Sequence, residues 1–408
     1  MSRKHHLTWG IFVTVLALVL SAAAPSEAAI RSIGGFFKQV RDYHDTDIYQ
    51  HERYTLYRQK FAGLGMNREI RDNYPWLAET IDKMQKEEWQ KSKEIRQSMK
   101  AEAAEFRKTA PDRYHPFEHI YDVLMCRADT LAVSFIQKEY TAGDGAHGMY
   151  GWQGVTLSTA TGSPIPLSAI VKDREAMTKS ICRHLRSEYP EGLYGDMEKT
   201  VRELAEQDKL NWTLDPRGLT FYFNPYGLAP YAMGLLTTTI LFAEEPAIFN
   251  ESYTQKAPTY AQPFTADTNL VTDLQEKGQR DIISVHADKG IHVTINGKET
   301  VFPEELIDLQ PVLIHMEDGR NYLYIDGKEK ETSIRKTLAV QLKSDKASQV
   351  ATLPYSFRCT KAVSPAVYVY WNFLTNPNGF YFDQSSSFLR SSKTDICSIN
   401  EKGTLAYG

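Results

Sequence analysis

Cysteine is scarce in this chain. Four occur in 408 residues, at Cys126, Cys182, Cys359 and Cys397. No two are close in sequence, which excludes a zinc ribbon and a redox Cys-x-x-Cys. An excess of one charge is missing too: 47 Lys and Arg stand against 51 Asp and Glu, a net charge of −4. So mild an acidic balance gives no long-range attraction for nucleic acid or an anionic membrane. Beyond the first residues no stretch is apolar enough to span a bilayer. The longest candidate, 231–243, carries three consecutive threonines and is shorter than the ~20 residues a span needs. There is no Gly-x-Ser-x-Gly elbow, so a serine hydrolase of that type has no support.

What is present begins with a secretory signature. Arg3 and Lys4 make a short basic start, 9–20 is almost unbroken apolar, and Ser26-Glu27-Ala28 offers the small residues a signal peptidase reads. The expectation is a signal peptide over 1–28 and an exported protein, periplasmic or extracellular. Removing 1–28, with Arg3, Lys4 and Glu27, moves the net charge from −4 to −5. Export permits disulfides. The most economical pairing is Cys126 with Cys182 and Cys359 with Cys397. Other pairings, or four buried thiols, stay open.

Along the chain, Ile33, Phe36, Phe37 and Val40 suggest a short helix, and 51–61 fits helix or strand. Pro75 opens a clear helix reaching about Lys108, because Leu77, Ile81, Met84, Ile95, Met99, Ala103 and Phe106 step by three and four. Glu88 and Ser92 interrupt that face. Periodicity then switches to two. Phe117, His119, Tyr121 and Val123 alternate, as do Leu131, Val133 and Phe135, with a turn at 127–130, which predicts a β-hairpin. Two helices follow, the first capped by Asp173 and the second from about Gly195. Strands return around Asp215-Pro216-Arg217-Gly218, whose order suits a type I turn. The expected fold is α+β, an antiparallel sheet packed with helices over 30–245. A Pro-containing linker over 246–264 and a mostly β domain over 265–408 complete it. Asn296-Gly297, Asp318-Gly319 and Asp326-Gly327 predict tight turns in that last part.

Candidate chemistry is thin. His115-Pro-Phe-Glu118-His119 has the His-x-x-Glu-His order of inverted zinc peptidases, but that chemistry needs a helix. Here the residues alternate as a strand, on which the two histidines would stand about 13 Å apart. His147 sits in a Gly-rich loop with Gly143, Gly145 and Gly148. That loop lacks the Lys-Ser/Thr of a P-loop. Glu244-Glu245 reads as a solvated cap at a strand end. The segment 272–278 superficially resembles a calcium loop, yet Lys277 and Gln279 stand where acidic ligands belong. No cofactor and no metal are expected. The most distinctive run is 219–234, where a strand delivers two prolines and two tyrosines onto a stiffened loop. Rigid Pro-Tyr surfaces lose little entropy on binding and offer large amphipathic contacts, although turn-forming or core tyrosines would read the same way.

The loop Tyr140-Thr-Ala-Gly-Asp-Gly-Ala-His147-Gly148 and the run Phe221-Tyr-Phe-Asn-Pro-Tyr226-Gly-Leu-Ala-Pro230-Tyr231-Ala-Met-Gly234 resemble the paired signatures of the RsiV-like extracytoplasmic domain, the lysozyme-sensing part of certain anti-sigma factors. The long helix from Pro75 is similar to the companion segment that precedes this domain, so the resemblance covers roughly 70–245. The departures are Asp144, inserted between the loop glycines, and the lack of a sigma-binding segment and a membrane span. A deacetylase domain, found in other relatives, is also missing. The resemblance implies a protein partner, a lysozyme-like hydrolase, with a peptidoglycan fragment second. Tyr226, Pro230, Tyr231 and His147 are the positions implied to touch it. A binding or sensory protein is therefore expected, more than an enzyme. The alternative is an envelope glycan-binding or cell-wall-modifying protein with an unrecognised carboxylate site.

Overall fold

The computed structural model describes residues 29–34, 37–45, 56–113, 115–266, 268–332 and 334–353. Beyond these it describes Ser356 and, as backbone alone, strands between 359 and 407. The expected signal peptide lies outside the described residues. Among them no helix is long and apolar enough to cross a membrane.

The N-terminal part is a mixed sheet with helices. Its strands are β1 (Phe37–Asp45), β2 (Tyr57–Met66), β3 (Phe117–Ala128), β4 (Ala132–Ala142) and β5 (Met149–Ser158). The region read as a short helix around Phe37 is therefore a strand. Its apolar spacing looked helical because an inward position is taken by Gln39, buried and donating to Asp122 Oδ1 at 2.5 Å. Between β2 and β3 run α1 (Arg68–Asn73) and the predicted long helix α2 (Pro75–Thr109). That crossover makes β2 and β3 parallel, while β1–β2, β3–β4 and β4–β5 are antiparallel. The strand Ala366–Tyr370 pairs with β1, and Cys359–Val363 pairs with that strand, so seven strands form one sheet.

A smaller unit packs against its far edge. It holds α3 (Leu167–Ile170), α4 (Arg174–Glu188), α5 (Met197–Glu206) and a sheet of β6 (Trp212–Leu214), β7 (Gly218–Phe223) and β8 (Leu236–Leu241). Asp173 caps α4 as its sequence position predicts, accepting from Ala176 N at 2.8 Å. Met177, Ile181 and Leu185 of α4 bury with Val201, Phe221 and Ile240.

Residues 246–264, read as a linker, carry buried Ile248 and Phe249 and end in the strand Tyr260–Pro263. That strand edges a five-stranded sheet with Leu306–His315, Asn321–Glu329, Arg335–Lys343 and Lys346–Leu353. A four-stranded sheet of Leu270–Thr272, Asp281–Ala287, Ile291–Ile295 and Lys298–Phe302 and a three-stranded sheet of Gly379–Asp383, Thr394–Ile399 and Leu405–Tyr407 complete the described β-rich part. The architecture is thus α+β with a mostly β C-terminal region. One apolar cluster runs from Leu77 and Ile81 of α2 through Phe61, Tyr121 and Phe135 to Ile314, Tyr322 and Tyr324 of the five-stranded sheet.

Of the predicted turns, Asn296-Gly297 is a tight hairpin with φ of 51° and 79°, which only Asn and Gly adopt readily. Asp326-Gly327 is not a turn. It lies inside the strand Asn321–Glu329, where buried Asp326 pairs with Arg335 Nε at 2.8 Å. A side chain at 327 would meet Leu306 Cβ at 2.6 Å, so the glycine serves close packing.

The polar interruptions of the α2 face have a physical cause. Ser92 is buried and takes a hydrogen bond from Gln59, which also donates to the Ser92 carbonyl at 3.0 Å and meets His119 Nδ1 at 3.3 Å. With Nδ1 accepting, His119 Nε2 donates to Glu139 Oε1 at 3.1 Å, and Lys91 Nζ reaches Glu139 Oε2 at 2.8 Å. A buried polar chain therefore pins the long helix to the sheet.

Cys126 and Cys182 are both free and buried, which overturns the expected bridge between them. Cys126 packs with Ile136 and Tyr222, whereas Cys182 sits on α4 in the other unit's core. Burial pushes both thiols up from their usual range. The side chains of Cys359 and Cys397 lie outside the described residues.

Two outcomes are expected. Alkylation of the denatured, unreduced protein followed by peptide mapping will label both Cys126 and Cys182, and a Cys126–Cys182 cross-linked peptide would refute the packing described. The Glu139 carboxyl is held down from 4.5 to about 2, first by its hydrogen bond from His119, then by Lys91. A depressed carboxylate stabilises the fold above its unfolded value and loses that contribution as pH falls through its folded value. Glu139→Gln should thus be less stable than the parent at pH 7, and denaturant titrations should show the gap closing between pH 4.5 and about 2.

Candidate functional site

The two distinctive sequence runs meet at one end of β5 and β7. Two asparagines make the join. Asn224 Oδ1 accepts from Trp152 N at 2.8 Å and its Nδ2 donates to Trp152 O at 3.1 Å. Asn211 Oδ1 accepts from Gly154 N at 2.7 Å, and its Nδ2 donates to the same Trp152 carbonyl at 2.6 Å. Gly154 is required here, because a Cβ would lie 2.0 Å from the Trp212 carbonyl oxygen. The edge of β5 is thus fastened to β6 and the end of β7, which carries the Pro-Tyr loop.

That loop is two consecutive turns. In the first, Gly227 N donates to Asn224 O at 2.9 Å, with Pro225 second and Tyr226 third. Tyr226 has φ of 68°. Pro followed by a residue of positive φ is the type II pattern, whose third place normally belongs to Gly or Asn. A tyrosine there is strained by ~1–2 kcal/mol. Its side chain is nonetheless 52% exposed. In the second turn, Met233 N donates to Pro230 O and Gly234 N to Tyr231 O, both at 2.9 Å, and Gly234 takes φ of 70°. Pro230 is exposed and Tyr231 half-buried between them.

The Gly-rich loop supplies the opposing ring. His115 Nε2 meets Gly143 O at 2.5 Å and anchors its start. A side chain at 148 would collide with the Tyr140 ring at 2.4 Å. His147 then stacks on Tyr231 with ring centres 3.8 Å apart and planes 19° from parallel. The Tyr231 hydroxyl donates to Gly148 O at 2.5 Å, and His147 Nδ1 lies 3.0 Å from that oxygen. A carbonyl only accepts, so Nδ1 carries the proton and Nε2 is left to face the Tyr226 hydroxyl at 3.4 Å. Tyr226 and Tyr150 flank Tyr231 with centres at 5.7 and 6.0 Å.

All four positions singled out from sequence therefore fall in one place: His147, Tyr226, Pro230 and Tyr231. Tyr150 was missed. Its place at the start of β5, directly after the Gly-rich loop, was the signal that could have found it.

The other candidates go elsewhere. The His-x-x-Glu-His residues each have separate partners: His115 the Gly143 carbonyl, Glu118 the Arg58 guanidinium at 2.6 Å, and His119 the Glu139 carboxylate. They share no metal position. Asp273 accepts from Lys277 N at 3.1 Å and Gly278 N at 2.7 Å, so its carboxylate caps the loop that resembled a calcium site. Glu244 and Glu245 are not a solvated cap. Glu245 pairs with Arg183 at 2.6 Å and His184 at 3.3 Å, and Glu244 with Arg280 at 3.3 Å. Burial and the two arginines push His184 down to about 4. Two guanidiniums already neutralise these carboxylates, which disfavours a metal there. A cleft of about 550 Å³ lies between α2 and β5, with Glu79 and Glu87 on its wall. Those two stand two helical turns apart, about 12 Å along the axis. That is too far for an acid/base pair across one scissile bond.

Residues 166–243 match the DUF3298 family, described as a protein of unknown function. This span holds α3 to β8, including the Pro-Tyr loop, and leaves the Gly-rich loop outside. Among solved structures, a DUF3298 family member from Bacteroides fragilis is 18% identical, with a TM-score of 0.38, covering 53% of this chain and 94% of its own. A DUF3298 family protein from Pseudomonas aeruginosa is 14% identical, with a TM-score of 0.37, covering 54% and 96%. No curated protein matches.

The strained tyrosine yields a stability test. Tyr226→Gly relieves the left-handed backbone but loosens the unfolded chain, so its net effect should be neutral or stabilising by up to about 1 kcal/mol. Chemical denaturation measures it. A loss of 2 kcal/mol or more, roughly what a core truncation costs, would mean that Tyr226 is structural.

Proposed function

We propose that this is an exported binding protein whose His147–Tyr226–Tyr231 surface recognises a cell-wall-related partner, with a lysozyme-type hydrolase first. One observation carries the reading: an exposed tyrosine is held in a backbone conformation that costs stability, beside a stacked His–Tyr pair. Strain at an exposed site persists where the surroundings over-determine it, and such sites cluster where ligands bind. Aromatic rings on stiff turns are what hot spots are made of.

Three further points support it. The signal-like start implies export. The paired loop signatures resemble those of the RsiV-like domain, to which the DUF3298 match over 166–243 is related. The mildly acidic chain, with Asp144 exposed in the Gly-rich loop, suits a cationic partner such as a c-type lysozyme.

The test is calorimetric titration of the exported, purified protein with a c-type lysozyme, with soluble peptidoglycan fragments in parallel. Lysozyme should bind, and Tyr226→Ala and Tyr231→Ala should each weaken binding tenfold or more, the scale of a hot-spot truncation. Because Tyr231 also braces Gly148, Tyr231→Phe separates ring contact from bracing. Absence of lysozyme heat, or equal affinity in both alanine variants, would end this reading. Fragment binding lost in the same variants would transfer the surface to a glycan.

A further inference from the structure

The β-rich part carries a cluster that the preceding reading does not use. Strands Asp281–Ala287 and Ile291–Ile295 form an antiparallel hairpin in which His286 and His292 are direct cross-strand partners. Ile283, Val285, Ile291, Val293 and Ile295 fill the inner face of this sheet. Side chains alternate between faces, so the two histidines lie on the outer face. Their rings stack with centres 4.6 Å apart and planes 17° from parallel. Glu299, on the next strand, brings a carboxylate oxygen within 3.2 Å of His292 Nδ1. One ligand atom from each of His286, His292 and Glu299 lies within 4.8 Å of the others.

The nitrogens of His292 are not equivalent. Nε2 lies 2.8 Å from the Asp288 carbonyl oxygen in the hairpin turn. A carbonyl only accepts, so Nε2 carries a proton. The turn fixes that carbonyl: Asp288 N donates to Gly290 O at 3.0 Å, Lys289 takes φ of 52° and Gly290 φ of 153°. A Cβ on Gly290 would sit 2.6 Å from the Phe302 carbonyl oxygen, so the turn depends on glycine. Nδ1 is shielded from solvent and faces the Glu299 carboxylate as an ion-pair partner. A shielded imidazole nitrogen facing a carboxylate, with its other nitrogen tied to a backbone carbonyl, is how proteins prepare a histidine to ligate a metal.

We propose that His286, His292 Nδ1 and Glu299 bind a divalent transition-metal ion, Zn²⁺ in the first instance. Two imidazoles and one carboxylate are a donor set that zinc favours, and three protein ligands leave a fourth tetrahedral position open. Metal–ligand bonds of about 2.0–2.1 Å require donors roughly 3.3 Å apart, so side-chain rotation on an exposed face suffices to close the set. The surrounding strands need not move. The site is independent of the His147–Tyr231 surface.

The experiment uses the full purified protein, made without a polyhistidine tag, dialysed against chelator and titrated with Zn²⁺ by calorimetry. His286→Ala and His292→Ala should each lower affinity at least tenfold, and Glu299→Gln should lower it severalfold. His184→Ala, in the arginine-neutralised cluster, should leave it unchanged. Co²⁺ should give the visible absorption of a tetrahedral site in the parent, lost in His292→Ala. Melting in the presence of chelator should match across the outer-face variants, which separates ligand loss from misfolding. Zinc binding that survives the His286→Ala/His292→Ala double variant undiminished, or no zinc uptake by the parent, would overturn the proposal.

Discussion

A guanidinium removed from water destabilises a fold unless its N–H groups find acceptors, and this chain builds its central junction around one. Arg127 is buried at the end of β3, where a bulge between Met125 and Arg127 breaks the register with β4. The bulge re-aims the side chain inward. Nε donates to Asp129 Oδ2 at 2.7 Å, and the two terminal nitrogens to Asp215 O at 3.4 Å and Gln255 O at 2.6 Å. Asp129 in turn accepts from Leu131 N and Ala132 N and shapes the hairpin turn. One side chain thereby ties the large sheet, the β6–β7 turn and the segment leading into the β-rich part. Losing one partner of such a buried pair typically costs 3–5 kcal/mol. Arg217 repeats the device one turn away, reaching Tyr260, His315 at 3.2 Å and Glu276 at 3.1 Å. The proposed binding surface depends on this junction at one remove, since β7 carries the Pro-Tyr loop and starts beside Arg217.

Local physics was legible and non-local physics was not. The three-and-four stepping of Leu77, Ile81 and Ala103, the cap at Asp173 and the alternation from Phe117 to Val123 reflect forces within a few residues, and each gives the element expected. Even the blemishes in α2 were informative, because Ser92 and Glu88 mark where Gln59, His119 and Glu139 approach. The failures share a different origin. Phe37 and Val40 lie on a strand because of partners from β2 and from 366–370, which leave no trace in the local spacing. Asp326-Gly327 has turn composition, yet Arg335 and Leu306 give each residue a role within a strand. Sequence economy paired Cys126 with Cys182, whereas packing assigns them to separate cores.

The same division applies to the sites. Two unusual loops could be identified from sequence, and a resemblance suggested that they act together. That His147 lies flat on Tyr231, and that Tyr226 occupies a glycine's conformation, are properties of the assembled β5–β7 junction. The histidine pair at 286 and 292 is visible in sequence only as two residues six apart. The hairpin register places them face to face.

The large sheet has a consequence for how the molecule is made. Its strand β1 lies between β2 and the strand Ala366–Tyr370, so Val40 and Tyr368 are neighbours from opposite ends of the chain. Synthesis delivers the first long before the last. Until the final segment arrives, β1 presents an unpaired row of amides and carbonyls, the kind of edge that other chains can add to. Contacts this distant in sequence also form slowly. A premature stop before residue 366 would therefore remove more than its own length. It would leave an adhesive margin on β1 and strip Cys359–Val363 of its partner strand.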